Sequence, residues 1–217
     1  NLDAVTSGVV TVATGITTLT GTLAEVQAAF DANDNGTVAG LGDDEAVTLT
    51  EVTAAAANLN TLNLETTGVI NAATVNTLTG SLSDVQASYT ANTATTISGL
   101  GNEAVTLSDT GSIVATLITT LAAATTGAVT VNAGVTTLTG TIAQVQAVYD
   151  ASNITIDGDE AVTVSDTGTV AATAITNLDA ETSGVVTVNA GITTLTGTIA
   201  EVQAAFDAND NGTVAGL

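Results

Sequence analysis

The chain has no lysine, arginine, histidine, cysteine, methionine, tryptophan or proline in 217 residues. Each absence excludes something. Without Lys or Arg nothing neutralises phosphate, so nucleic-acid binding is excluded and an anionic membrane surface repels the chain. Without Cys there is no disulfide framework and no thiolate chemistry. His, Lys, Cys and Arg supply most bases, nucleophile partners and oxyanion clamps, and all four are missing. A glycosidase-like carboxylate pair needs no cation, but the acids are spread by a repeat and converge on no distinguishable pair. The chain is therefore expected not to be an enzyme. No run approaches the roughly 18 apolar residues of a membrane span, so no membrane insertion is expected.

What is present is acid and aliphatic side chain. The 22 Asp and Glu residues give a formal charge of −22, and 45% of residues are hydrophobic while 2% are aromatic. A folded core of Val, Leu, Ile and Ala is implied, with the acids on the surface, where self-repulsion is relieved by salt or divalent cations.

The chain repeats. Gly21, Gly80, Gly140 and Gly197 are spaced by 59, 60 and 57 residues, and Gly8, Gly68, Gly127 and Gly184 by 60, 59 and 57. Residues 1–41 match residues 177–217 at 37 of 41 positions, an offset of 176 that sums three periods. All four aromatics, Phe30, Tyr89, Tyr149 and Phe206, fall at one repeat position and read as core anchors, with a ligand-stacking ladder as the other reading. The repeat phases lie near 8–67, 68–126, 127–183 and 184–217. The chain opens and closes inside the same phase, so 1–217 is expected to be one continuous array and a window on a longer repetitive protein.

Each period divides into halves such as "GVVTVNAGITTLTGTIAEVQAAFDAN" from Gly184 and "GLGNEAVTLSDTGSIVATLITTLAAATTG" from Gly99. Both read as β-rich run, turn, β-rich run, Thr-Gly punctuation and helix. The expected fold class is α/β: a repeat solenoid of stacked β-β-α coils of about 30 residues, paired into a 57–60 residue repeat. The alternative is a mostly β solenoid with short helices. Leu23, Val26 and Phe30 repeat as Leu82, Val85 and Tyr89 and as Ile199, Val202 and Phe206, one face of a helix. Thr22 with Glu25 and Thr198 with Glu201 form capping boxes, with weaker versions at Ser81/Asp84 and Thr141/Gln144. Asp109 and Asp166, in "SDTG", are expected as caps near the start of the helices that follow them rather than as ligands. In "EAVTVS" Val162 and Val164 share one strand face and Thr163 the other.

"DANDNG" occurs at Asp31–Gly36 and Asp207–Gly212 and matches the first half of an EF-hand-type loop. The candidate metal ligands are Asp31, Asn33, Asn35, Asp43, Asp207, Asn209 and Asn211, with Ca2+ as the cofactor such oxygen ligands would take. Position 12 of that loop is Gly42 rather than Glu, and the same run also reads as an Asn/Asp/Gly turn ending a helix. Glu45, Glu103 and Glu160, each followed by "AVT", are expected on a solvated acidic face, with weak cation binding as the second reading. Rows of Thr on exposed strands would suit water, ice or polysaccharide, and are also ordinary strand composition.

"TTGVINAATVNTLTG" (66–80) and "ISGLGNEAVTLSDTGS" (97–112) resemble repeats of very large, acidic, Thr/Gly/Asp-rich bacterial surface proteins, cyanobacterial ones among them. The resemblance implies an exported, cell-surface or adhesin-like protein. The glycine-rich calcium nonapeptide of related secreted repeats is absent. The expected function is a non-enzymatic extracellular rod or filament, partnered by copies of itself, neighbouring repeats or surface polysaccharide. The alternative is an adhesin or ligand-binding repeat for glycan, ice or a calcium-bridged partner.

Overall fold

The computed structural model describes residues 5–13 and 15–217. The chain is α/β, with parallel strand pairs and seven helices among the described residues. It divides into two compact units, one running to Thr106 and including Ala124–Gly127, the other comprising Leu107–Ala123 and Ala128–Leu217.

The first unit contains β1 (Val10–Thr11), β2 (Thr18–Gly21), α1 (Leu23–Asp34), β3 (Val38–Ala39), β4 (Ala46–Leu49), β5 (Thr53–Ala55) and α2 (Ala56–Glu65). It continues with β6 (Ile70–Asn71), β7 (Thr77–Gly80), α3 (Leu82–Thr93), β8 (Ile97–Ser98) and β9 (Ala104–Leu107). Here β1 pairs with β3, the order β2-β4-β6-β8 forms a second sheet, and β5, β7 and β9 lie side by side.

The second unit contains β10 (Gly111–Val114), α4 (Ala115–Ala122), β11 (Val129–Thr130), β12 (Val135–Gly140), α5 (Ile142–Asp150), β13 (Ile154–Thr155) and β14 (Ala161–Val164). It ends with β15 (Gly168–Ala171), α6 (Ala172–Glu181), β16 (Val186–Thr187), β17 (Ile192–Thr196), α7 (Ile199–Asn211) and β18 (Val214–Ala215). Its sheets are β10-β12-β14-β16-β18, β15-β17 and β11-β13.

The expected β-β-α order holds for alternate segments only. In between, a third strand (β5, β10 or β15) runs without a turn into the next helix. The first residue of each such helix follows directly on an extended N-cap, Ala55, Val114 or Ala171, that makes no side-chain cap bond. Strand partners are closer in sequence than half a repeat. Val47 pairs with Ile70 and Ile70 with Ile97, two steps covering 50 residues. The repeat covers 57–60, and the shortfall of a strand and a turn is the length the extra strand occupies. Stacked helices need about 8–10 Å and paired strands about 4.8 Å. Sheets that slip against the repeat let both spacings coexist.

The other helices are capped as the sequence indicates. Thr22 N–H donates to Glu25 Oε2 at 2.9 Å, and Thr22 Oγ1 accepts from Glu25 N–H at 3.3 Å. Thr198 with Glu201 and Thr141 with Gln144 do the same. Ser81 Oγ accepts from Asp84 N–H. Val162 and Val164 are buried and Thr163 is exposed, the alternation expected.

Asp166 requires correction. It does not cap the helix that follows it: its Oδ2 accepts from Ile142 N–H at 2.7 Å, at the start of the preceding helix α5. Glu51 does the same for Leu23 N–H of α1 at 3.3 Å. These caps arrive from the next segment of chain. Proximity in sequence pointed to the wrong helix, because the neighbouring helix is nearer in space.

Candidate functional site

Glu45, Glu103 and Glu160 stand just before β4, β9 and β14, and the structure overturns their expected solvated position. They are 2%, 0% and 1% exposed. A buried carboxylate must find donors. Gly101 N–H donates to Glu103 Oε2 at 2.8 Å and Tyr89 Oη donates to the same oxygen at 3.1 Å. For Glu160 the donors are Gly158 N–H at 3.1 Å and Tyr149 Oη at 3.4 Å. Glu45 takes Gly42 N–H at 2.6 Å; the repeat position that carries the tyrosines is Phe30 here, which has no hydroxyl. Glu45 Oε2 and Glu103 Oε1 are buried without a hydrogen-bond partner.

The main chain of each glutamate is gripped as well. Thr66, Thr125 and Thr182, all buried, donate through Oγ1 to the carbonyls of Glu45, Glu103 and Glu160, each at 2.7 Å. The same three hydroxyls accept from Gly68, Gly127 and Gly184 N–H at 2.9, 3.0 and 2.9 Å. A Cβ on any of these glycines would overlap that glutamate's carbonyl group. The requirement for glycine is therefore a close approach of two backbones. The result is a clasp: Thr-x-Gly after one helix locks the start of the strand that preceded it.

Burial raises the Tyr89 hydroxyl well above its ordinary value; the neighbouring Thr125 hydroxyl opposes this and the charge of Glu103 adds to it. Burial likewise leads in pushing Tyr149 up to about 12, against Thr182 and with Glu160. A phenol held protonated keeps its O–H to donate to the carboxyl oxygen. The cluster thus holds each glutamate side chain through a backbone N–H and, at Glu103 and Glu160, a phenol as well.

The four aromatics do not share one environment. Phe30 and Tyr89 are 1% and 6% exposed, Tyr149 is half-buried and Phe206 is 43% exposed.

Asp31 and Asn33 lie within α1, and Asn35 is its C-cap residue. Asp207, Asn209 and Asn211 lie within α7. Successive helical residues are turned by about 100°, so the first and third positions of the motif point to nearly opposite sides. Asp31 Oδ1 accepts from Gln27 at 3.1 Å and Asp207 Oδ1 from Gln203 at 2.8 Å. Asn209 Oδ1 accepts from Leu217 N–H at 3.0 Å. Asn92, at the same repeat position, holds Leu100 at both its N–H and its carbonyl. Asp43 offers its carbonyl to Thr67 N–H and Oγ1. Asp31 and Asn33, and likewise Asp207, Asn209 and Asn211, thus stand on helical turns rather than in a loop. Among the described residues no group of three or more His, Cys, Asp or Glu is placed to hold a metal ion.

In the second unit a groove of about 680 Å³ runs along α5 and α6, lined by Gln146, Asp150, Asp166, Asn177 and Glu181 among apolar residues. Gln146 Nε2 bridges its acid rim, donating to Asp150 at 3.1 Å and Glu181 at 3.4 Å.

The sequence carried a signal for the clasp that polarity obscured. Glu recurs before "AVT" in three repeats, and a Thr-x-Gly follows 21 or 22 residues later each time. Among the described residues no helix is long and apolar enough to cross a membrane. No protein-family model, no curated protein and no solved structure matches the chain.

Proposed function

We propose that the chain is a non-enzymatic structural repeat module of an extracellular surface protein, a solenoid whose coils stack to give length. The observation that supports it best is the buried clasp at Glu45, Glu103 and Glu160. It recurs at one phase of the repeat with the same Thr and Gly partners, and its Thr-to-carbonyl bonds tie residues 21 or 22 apart in the chain. Sites of chemistry are usually single, open and polarised; this one is multiple and closed. Parallel pairing at 23–28 residue intervals supports the same reading.

Surface acidity keeps neighbouring rods apart, and the lack of Lys and Arg removes every trypsin-type cleavage site. Electron microscopy of the purified protein tests the reading. Elongated particles of constant width support it, and compact round particles refute it.

A second reading, a ligand-binding surface module, draws on the acid-rimmed groove along α5 and α6. Calcium is the natural bridging ion for such a rim. Thermal unfolding with and without a chelator separates the two: a large fall in Tm favours the calcium-bridged module, and no change favours the scaffold.

A further inference from the structure

We propose that Asn35 and Asn211 are sites of spontaneous modification: each loses its side-chain amide as ammonia to the main-chain nitrogen of the following glycine, leaving aspartate and isoaspartate at the end of a helix.

Asn-Gly occurs twice in the chain, at 35–36 and 211–212, and Asp-Gly, which can close the same ring, occurs once, at 157–158. A side chain on the second residue would crowd the attacking nitrogen, and glycine has none. Even a Cβ added at Gly36 or Gly212 would meet nothing within 4 Å, so both nitrogens border open space. Asn35 and Asn211 are exposed. Ala94, at the same repeat position in the middle of the chain, is exposed as well, so the exposure belongs to the position. Gly36 and Gly212 end their helices at φ +74° and +82°, a conformation that favours glycine. The helix ending itself thus supplies half of the reactive pair.

The other candidates are held back. Gly158 N–H donates to the buried Glu160 at 3.1 Å, inside the clasp. Asn153 precedes the β-branched Ile154, and its Nδ2 donates to the Ala122 carbonyl at 3.0 Å. At the reactive pairs the glycine N–H donates within the last helical turn, Gly36 to Asn33 at 3.0 Å and Gly212 to Asn209 at 3.2 Å. Helix ends fray at little cost, and each opening frees the nitrogen.

The glycine nitrogen gives its proton to solvent and bonds to the asparagine Cγ. The Cγ–Nδ2 bond breaks and the amide leaves as ammonia, closing a five-membered imide. Water then opens either carbonyl. One opening gives aspartate; the other gives isoaspartate, with the main chain rerouted through the side chain. No oxidant or reductant is needed, and each event adds one negative charge. Isoaspartate also lengthens the main chain by one carbon. Two residues on, Thr37 and Thr213 donate to Ala32 at 3.0 Å and Ala208 at 3.1 Å, and their carbonyls accept from Val10 and Val186 N–H, both at 2.9 Å. The added carbon therefore loosens β3 from β1 and β18 from β16.

The native chain is aged in mildly alkaline buffer, alongside a chain unfolded in urea. Both are then cleaved after glutamate, and isoaspartate is located by mass spectrometry with methyltransferase labelling. In the folded chain, modification at 35 and 211 is expected at least about tenfold faster than at 153 or 157, a barrier difference of about 1.4 kcal/mol. In the unfolded chain 157 should lose its protection. Amide exchange at Val10 and Val186 should quicken with age. Asn35→Ala/Asn211→Ala, which copies the residue at Ala94, should show neither product nor quickening. The proposal is overturned if the folded chain keeps both asparagines while the unfolded chain loses them. It is equally overturned if 157 reacts as fast as 35 in the folded chain, or if exchange at Val10 and Val186 quickens in the double variant too.

Discussion

Helices α1 and α7 share nearly one sequence yet bury different faces of it. In α1 the side bearing Leu23, Val26 and Phe30 is sealed, while Ala29 on another side is partly open. In α7 Ala205 is fully buried and Phe206 is exposed. Burial here belongs to the neighbour, not to the residue. α1 is followed by α2 and α7 is preceded by α6, and each has the face its neighbour covers. A hydrophobic position in such a chain states which side a neighbour must come from. It does not state that the neighbour is there.

The difference can be broken most severely at the aromatics. Phe30→Ala is expected to cost about 3–5 kcal/mol, and Phe206→Ala, at a side chain 43% exposed, about 1–2 kcal/mol, measured by urea unfolding of each variant. Equal costs would mean that α7 is covered in solution. Next, Glu51→Ala removes a cap that reaches α1 from the following segment, and is expected to cost about 0.5–2 kcal/mol. Amide exchange should locate the loss at the first turn of α1 and leave α7 unchanged.

Tyr89→Phe gives the second repeat the aromatic of the first. Removing a hydrogen bond of this kind costs about 0.5–1.5 kcal/mol, and the change should be visible as one fewer phenol in alkaline titration. The native Tyr149 binds its proton more tightly folded than unfolded. Its contribution is therefore complete below the ordinary value of 10.0 and lost as pH rises through about 12. Native protein should show a late, unfolding-linked phenolate absorbance.

The smallest effect expected is at acid pH. The bonds Glu25 and Glu201 accept from Thr22 and Thr198 hold both carboxyls below their ordinary 4.5. What they contribute is present above that value and lost as pH falls through the lowered one. Glu51 is raised, chiefly by burial and against its bond from Leu23 N–H, so the charge-dependent part of its effect runs the other way and favours the folded state as pH falls. Amide protection on acidification should therefore weaken in α7 before α1. Simultaneous fraying would show that Glu51 does not act on α1.

Much of this was readable in the residues. Fixed glycine spacing, the apolar spacing of Leu23, Val26 and Phe30, and Thr22 with Glu25 all act within a few residues of chain, where period and capping decide the outcome. The third strand of alternate segments was hidden because "GSIV" and "GTVA" run into a helix without a turn or a cap, so nothing punctuates the change. Glu103 was misplaced for a different reason. Its burial depends on Gly101, Tyr89 and Thr125 meeting in space, and a carboxylate taken alone belongs in water. "DANDNG" reads as a loop because Asp, Asn and Gly favour turns, but the helix before it continues through Asp34 and, in the second copy, through Asn211.

The backbone approach at Gly127 has an evolutionary corollary. Thr125 and Gly127 meet one peptide group, at Glu103, with no space for a Cβ between them. An insertion between residues 103 and 125 that is not a complete structural unit moves both partners off that peptide and leaves a carboxylate stranded indoors. Lengthening by copying entire units leaves every such meeting intact. A gene for this kind of protein can thus grow by large duplications more easily than by small ones, and the return of residues 1–41 as 177–217, at an offset of 176, is the mark such growth leaves.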